Sequence, residues 1–303
     1  MNWTSESKVL IQGITEPPGS DYTPRMKAYG TNIVAGVSVG RGGQRIDGIP
    51  VFDLVEEAIA QVGEIDTTLI FVEPYQVLDA ALEAIASGIK QLILTASGVP
   101  PLDMVRLLRK AQATNTLILG PGSRGIIVPE KLWLGTGEPQ FFTPGKVGLI
   151  SSSGTLSYEV ALALNQAGLG QSIAVSLGNE GILGSSFEPW LQYLEQDETT
   201  EAIVAIGQAN PSLEEAVAQY IATAIEKPVV AYLYGRHAPG ERMFRDAATI
   251  IATQLSHSLP TPATVEGAIA AFQEANVMVA RRPSQIPDLV KTALSDRCPR
   301  LKA

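Results

Sequence analysis

At 303 residues the chain is long enough for two domains that each bury a core, and no apolar run approaches the roughly 18 residues that a membrane span needs. The formal net charge of −9 gives no general attraction to nucleic acid or anionic lipid, and the single cysteine, Cys298, excludes an internal disulfide framework and a cysteine-based metal cluster. Because residues 1–6 are polar and lack the apolar stretch of a secretory signal, we expect a cytoplasmic protein that binds small molecules or other proteins.

Short β-branched runs alternate with amphipathic helical stretches, which is typical of parallel βαβ units. In the first half, the predicted strands are Val9–Gln12, Asn32–Val37, Thr67–Val72, Gln91–Thr95 and Thr116–Leu119, and the predicted helices lie at 54–62 and 75–87. Each strand ends in a loop that contains glycine or proline. Because open α/β sheets bind ligands at the carboxyl ends of their strands, we expect the ligand of the first half in these loops.

The segment Thr-Pro-Gly-Lys at residues 143–146 marks the predicted boundary between a domain at 1–143 and a domain at 144–303. Beyond it, the predicted strands are Val147–Ser151, Ser172–Leu177, Ala202–Ile206, Val229–Tyr234 and Val277–Ala280. The predicted helices are Leu156–Ala167, Phe187–Gln196, Leu213–Ile225, Ala247–Leu255, Val265–Ala275 and Ile286–Leu294. This alternation predicts a flavodoxin-like doubly wound α/β domain.

Three loops have residues that suit a phosphate. Gly13 and Gly19 do not form the dinucleotide pattern GxGxxG, but a glycine-rich turn from strand to helix presents backbone N–H groups to phosphate. Arg41, between glycines, can grip a phosphate bidentately. The residues of the third loop, Ser153, Gly154 and Thr155, can cap a helix or hold an anion at its N-terminus. The alternative for the first two loops is that their glycines only form tight turns.

An ordered series of motifs runs through both halves: Ala28-Tyr29-Gly30-Thr31, Gly40-Arg41-Gly42-Gly43, Gly48-Ile49-Pro50-Val51-Phe52, Leu102-Asp103-Met104, Gly120-Pro121, Pro144-Gly145-Lys146-Val147-Gly148, Ser153-Gly154-Thr155-Leu156, Gly184-Ser185, Lys227-Pro228-Val229-Val230 and Ala238-Pro239. The series resembles the α subunit of succinyl-CoA synthetase, also called succinate–CoA ligase, in order and spacing over nearly the whole chain. That family forms succinyl-CoA, ADP and phosphate from ATP, succinate and CoA.

The resemblance implies a Rossmann-like CoA-binding domain followed by the flavodoxin-like ligase domain. It places coenzyme A at seven residues: Gly13, Thr15, Gly19, Arg41, Val72, Pro74 and Gly98. It also implies that the helix opened by Ser153, Gly154 and Thr155 receives a phosphohistidine. Because the chain has no Walker lysine loop, nucleotide is expected only through an ATP-grasp β subunit, in a heteromer.

The chain departs from the family where the phosphate carrier is expected. Asp246 stands at the phosphohistidine position, and Gln208 stands where a carboxylate orients that histidine in the family. A neutral amide cannot stabilise an imidazolium as a carboxylate does. His237 lies in the same loop nine residues earlier and is a weak candidate for the carrier. No carboxylate cluster is predicted to bind the Mg²⁺ that an aspartyl phosphate at Asp246 needs, so we expect no metal site.

Three functions remain open on the sequence alone. The first is an active α subunit of a ligase, which the overall match supports and which the missing histidine opposes, because its loss impairs the phosphohistidine step. The second is a non-catalytic paralogue that binds CoA and a β subunit and regulates the active enzyme. The third is a different acyl or carbamoyl transfer on the same scaffold, for which the fold is the only support.

Overall fold

The computed structural model describes residues 3–208, 211–235 and 265–296 and divides into two compact units. The first unit contains the described residues up to Gly137 together with Leu177–Ser185, and the second contains Glu138–Ser176 and the described residues from Ser186 onward. Because a later segment returns to the first unit, no single cut separates the two. A boundary after residue 143 therefore stays a prediction.

The first unit is built around a parallel sheet. Its strands are β1 Val9–Gln12, β2 Ile33–Val37, β3 Arg45–Ile46, β4 Ile49–Phe52, β5 Thr67–Ile70, β6 Gln91–Leu94 and β7 Leu117–Leu119, followed by β8 Gly125–Val128 and β9 Leu132–Leu134. Its helices are α1 Pro17–Tyr29, α2 Val55–Val62, α3 Val77–Ala86 and α4 Pro101–Thr114. The sheet has the order β3-β4-β2-β1-β5-β6-β7, in which the β3–β4 pair is antiparallel. Strands β8 and β9 are not part of this sheet and pair with each other antiparallel.

The central strands of this sheet are covered on both faces. Every residue of β1 and β5 is buried, as expected when helices lie on both sides of a parallel sheet. A single apolar cluster joins β1, β2, β5 and β6 to α2, α3 and α4. The order of the strands places the loops after β2, β1, β5 and β6 side by side at one edge of the sheet.

The second unit repeats this plan. Its strands are β10 Pro144–Ser151, β11 Gln171–Ser176, β12 Ala202–Gln208, β13 Val229–Tyr234 and β14 Met278–Ala280. Its helices are α5 Gly154–Gln166, α6 Glu188–Gln196, α7 Pro211–Ala224, α8 Val265–Glu274 and α9 Ile286–Asp296. Within the part that the structure describes, its strands run in the parallel order β14-β13-β12-β10-β11. The predicted α/β class, with parallel sheets in both halves, is confirmed.

The predicted strands agree with the observed ones to within a few residues, whereas several first-unit elements were not predicted. Helix α1 begins with two prolines and contains a third, Pro24, so its sequence does not read as a helix. Helix α4, the short pair β3–β4 and the hairpin β8–β9 were also missed. The predicted helix at 247–255 lies outside the described residues. None of the described helices has the length and apolar character needed to cross a membrane.

Candidate functional site

The loop after β1 and the first turn of α1 bring the predicted site residues Gly13 and Gly19 together. Gly13 has a φ of 79°, and a Cβ at this position would lie 3.1 Å from both the backbone nitrogen and Cγ1 of Val72. A Cβ on Gly19 would overlap the carbonyl oxygen of Gly13. The first turn of α1 therefore packs against the end of β1, beside the loop that follows β5.

The middle of this loop is acidic and has few donors. Pro17 and Pro18 open α1 and have no N–H, so its first turn offers fewer donors than an ordinary phosphate-binding turn. Burial raises the pKa of Glu16, and the Glu73 carboxylate raises it further, while the Glu73 N–H acts in the opposite direction.

The loop after β2 holds Arg41 in a turn that a carboxylate fixes. Asp53 Oδ1 accepts hydrogen bonds from the backbone N–H groups of Arg41 at 3.0 Å and of Gly42 at 2.9 Å. The hydroxyls of Thr15 and Ser38 lie 2.6 Å apart and join this loop to the one after β1. The Arg41 side chain is exposed, so its guanidinium is placed where it can meet a phosphate.

The remaining predicted CoA residues lie in the loops after β5 and β6. Val72 and Pro74 are half-buried, and Pro74 opens a short 3₁₀ turn. Gly98 is exposed with a φ of 77°, and its N–H donates to Glu180 Oε1 at 3.0 Å. Glu180 comes from Leu177–Ser185, the segment that returns to the first unit.

Exposed apolar side chains surround this edge of the sheet. Among the described residues of the first unit, four large hydrophobic ones are exposed: Val39, Leu54, Tyr75 and Leu102. They follow β2, β4, β5 and β6, so all four lie in loops or first turns at the carboxyl ends of parallel strands. The edge therefore combines backbone donors and an arginine with apolar surface, which suits a ligand that has phosphates and an apolar part.

In the second unit, the predicted phosphate-binding residues open α5. Ser153 is the N-cap of that helix, and its Oγ accepts a hydrogen bond from the N–H of Leu156 at 3.4 Å. Ser151 Oγ accepts from the Ser153 N–H at 3.0 Å and donates to the Ser153 carbonyl at 2.7 Å. Gly154 and Thr155 form the first turn, whose N–H groups lie at the positive end of the helix.

Gln208 lies at the same edge as this helix N-terminus. It ends β12, the neighbour of β10, and its side chain is exposed. Ser152 has its Oγ 3.2 Å from the hydroxyl of Tyr234 at the end of β13. Asp246 and His237 lie outside the described residues, so their roles stay predictions.

The sequence did not point to Asp53, Glu180 or Tyr234, although each contacts a predicted site residue or its neighbour. Asp53 follows a strand that was not predicted. Glu180 and Tyr234 each bond to a residue 82 positions away, and no local pattern signals such a pair.

Comparison with known proteins agrees with this architecture. A family model described as a CoA binding domain matches residues 4–98, and one described as a succinyl-CoA ligase like flavodoxin domain matches residues 144–293. The chain is 37% identical to subunit alpha 2 of the ADP-forming succinate–CoA ligase of Archaeoglobus fulgidus, over 95% of this chain and 97% of that one. It is 40% identical to the malate–CoA ligase alpha subunit of Methylorubrum extorquens, over 82% and 85%.

Among solved structures, ATP citrate lyase from Methanothrix soehngenii, in complex with citrate and coenzyme A, shares the fold. The TM-score is 0.84 at 20% identity, and the match covers 99% of this chain. The chain spans about half the length of that protein, 51%. With two matched domains in tandem and relatives above 35% identity along almost their whole length, the chain belongs to the succinate–CoA ligase α-subunit family.

Proposed function

We propose that this chain is a CoA-binding α subunit that works with an ATP-grasp β subunit and is impaired in the phosphohistidine step of its family. The observation that supports this most strongly is that Gly13, Gly19 and Arg41 all lie at the carboxyl edge of the first sheet. Membership of the family supports CoA as the ligand, and succinate or a related small acid as the substrate class. The cytoplasm is the proposed compartment.

The chemistry of the first-unit edge supports CoA. Arg41 supplies a planar cation for phosphate, and the close packing of Gly19 on Gly13, and of Gly13 on Val72, holds the loop after β1 against the strand ends. Tyr75 offers an exposed aromatic face on which an adenine can stack, and Val39 and Leu102 offer apolar surface for the pantetheine arm.

Calorimetric titration of the full chain with CoA tests this. We expect measurable heat with a Kd below about 1 mM, and a Kd about tenfold weaker for Arg41→Ala, because a charge-assisted contact to phosphate is lost. Arg109→Ala, on helix α4, is the control and should leave the Kd unchanged. No heat at millimolar CoA would remove the proposal.

The β subunit is the second part of the proposal. Its support is that the relatives are named as subunits of ligases and that this chain has no Walker lysine loop. We expect coexpression with the β subunit encoded in the same genome to give one peak in size exclusion, at the summed mass or a multiple of it. Two separate peaks, with the chain still binding CoA, would favour an independent CoA-binding role.

The impaired phosphohistidine step is the third part. Gln208 occupies the edge of β12 beside the α5 N-terminus and carries no charge, so a histidine arriving there would have no carboxylate partner. Asp246 adds a second departure at the carrier position itself. A regulatory role, or a different acyl or carbamoyl transfer, is the alternative if the complex forms but makes no acyl-CoA.

A further inference from the structure

Asp53, in the connection between β4 and α2, holds the loop that carries Arg41. One of its oxygens, Oδ1, accepts hydrogen bonds from the backbone N–H groups of Arg41 at 3.0 Å and of Gly42 at 2.9 Å. Asp53 is half-buried, and its own N–H donates to Oε2 of Glu57, in the first turn of α2, at 3.3 Å. The carboxylate therefore ties the loop after β2 to the start of α2.

Gly42 is the residue that allows this close approach. A Cβ at position 42 would lie 2.6 Å from Oδ2 of Asp53 and 2.9 Å from its Cγ, both closer than real Cβ contacts come. Gly42 is not among the glycines with a positive φ, so the nearby carboxylate, and not the backbone conformation, requires glycine here. An alanine at this position would displace the Asp53 carboxylate from the two N–H groups.

These bonds leave the Arg41 side chain available to a ligand. Asp53 binds main-chain N–H groups, and no ion pair joins its carboxylate to the Arg41 guanidinium. Two further main-chain bonds close the loop: the Arg41 N–H donates to the Ser38 carbonyl at 3.1 Å, and the Gln44 N–H donates to the Arg41 carbonyl at 3.2 Å. The exposed guanidinium is therefore carried by a backbone that is bonded on both sides of it.

We propose that Asp53 is a positioning residue that acts through Arg41. It fixes the main chain of the loop after β2 in the form that presents the Arg41 guanidinium to CoA, and Gly42 makes room for it. This inference rests on the proposed function. A free loop would lose conformational entropy when CoA binds, whereas a loop that is already ordered avoids that loss. Asp53 therefore favours CoA binding, although its charge has the same sign as that of phosphate.

Limited digestion of the full chain with trypsin measures the order of this loop without a ligand. Trypsin cleaves after arginine, and the peptide bond after Arg41 contains the Gly42 N–H that Asp53 binds, so cleavage requires this bond to open. Asp53→Ala should be cut after Arg41 about tenfold faster than the unmodified chain, because two charge-assisted hydrogen bonds are lost. Asp53→Asn keeps an oxygen that can accept them and should be cut more slowly than Asp53→Ala. Mass spectrometry of the fragment that ends at Arg41 gives the rate.

Calorimetry with CoA on Arg41→Ala, Asp53→Ala and the double variant measures the effect on binding. Asp53→Ala should raise the Kd about fivefold, which is less than the effect expected of Arg41→Ala, because positioning cannot contribute more than the contact it positions. In the Arg41→Ala background, Asp53→Ala should change the Kd by less than about twofold. Gly42→Ala, which displaces the carboxylate, should raise the Kd about as much as Asp53→Ala, and Asp53→Asn should restore most of the affinity.

Asp66→Ala is the matched control. Asp66 is an aspartate that also accepts from a backbone N–H, that of Lys8 at 2.7 Å, but it lies before β5, at the opposite edge of the same sheet. Neither the cleavage after Arg41 nor the Kd for CoA should change in this variant. Thermal unfolding of every variant establishes that the fold is retained, and if Asp53→Ala does not fold, Gly42→Ala with and without Arg41 takes its place.

Unchanged cleavage after Arg41 in folded Asp53→Ala, or an equal loss of CoA affinity with and without Arg41, would overturn this inference and leave the proposed function standing. Tighter CoA binding by Asp53→Ala would also overturn it, because repulsion between the carboxylate and phosphate would then outweigh the ordering of the loop. If the unmodified chain does not bind CoA, the proposed function fails and the role of Asp53 in binding fails with it.

Discussion

Replacing Gly19 with alanine should both destabilise the first unit and remove most of its CoA binding. The added Cβ would overlap the carbonyl oxygen of Gly13 and approach the Gly13 carbonyl carbon at 2.9 Å and the Cα of Ile14 at 3.1 Å. All three atoms belong to the backbone, so no flexible side chain can move aside. Helix α1 must therefore shift away from the end of β1.

The expected cost is about 3 kcal/mol, which corresponds to a fall in Tm of about 6 to 12 °C for a unit of this size. The Kd for CoA should weaken at least about tenfold, because Gly19 and the Gly13 turn shape the phosphate end of the site. Differential scanning fluorimetry and CoA titration of the same preparation measure both effects.

Gly88→Ala is the control for this variant. Gly88 also lies in the first unit, with a φ of 92°, but a Cβ there would meet nothing within 4 Å. Gly88→Ala should lower the free energy of unfolding by about 1 kcal/mol, because alanine is strained in a left-handed backbone conformation. The CoA affinity should not change, since Gly88 lies between α3 and β6 at the other edge of the sheet. A Gly19→Ala protein as stable as Gly88→Ala would show that α1 is not held against the β1 turn.

The sequence was sufficient to predict the sheet edge where the ligand is expected. Buried runs such as Val9–Gln12 identify strands because both faces of a parallel strand are covered, and the loops that follow them must lie together. Gly13, Thr15, Arg41 and Gly98 could be placed at that edge by this rule alone.

Helix α1 could not be predicted, because tertiary contacts support it more than its local sequence does. Tyr22 packs edge-to-face on Trp133, with ring centroids 6.1 Å apart, and the Arg25 guanidinium lies 5.2 Å from the centroid of the Trp133 ring. These contacts join residues more than 100 positions apart in sequence. They offset the weak helix propensity of a segment with three prolines.

The acidic character of the proposed CoA edge was only partly visible in the sequence. Glu16 lies between two predicted site glycines, so its charge could be noticed, but its interaction with Glu73, in the loop after β5, could not. Glu180 is distant in sequence and reaches Gly98 only because residues 177–185 return to the first unit. Long-range hydrogen bonds of this kind carry no periodic signal.

With a β subunit and labelled ATP, the unmodified chain should acquire no acid-labile phosphate. Loss of a nucleophile commonly lowers a rate by several orders of magnitude, so we expect labelling at least about 10³-fold slower than in an active ligase of the family. Acid-labile phosphate on this chain, separated by electrophoresis, is the measurement. Robust labelling of the unmodified chain would contradict the prediction, and His237→Ala would then show whether His237 carries the phosphate.

Restoring the carrier should require more than the histidine. Asp246→His alone should give little labelling, because Gln208 ends β12 with a neutral amide where the imidazolium needs a carboxylate. Adding Gln208→Glu places that charge at the edge shared with the α5 N-terminus, and Arg245→Gly with Ala248→Gly gives the backbone beside position 246 the conformational freedom of glycine. The combined variant should label at least about tenfold faster than Asp246→His.

Gln208→Glu by itself is the control and should not become labelled, since it adds a carboxylate partner without a nucleophile. Equal labelling by the single and combined variants would show that the charge at position 208 is not what limits the step.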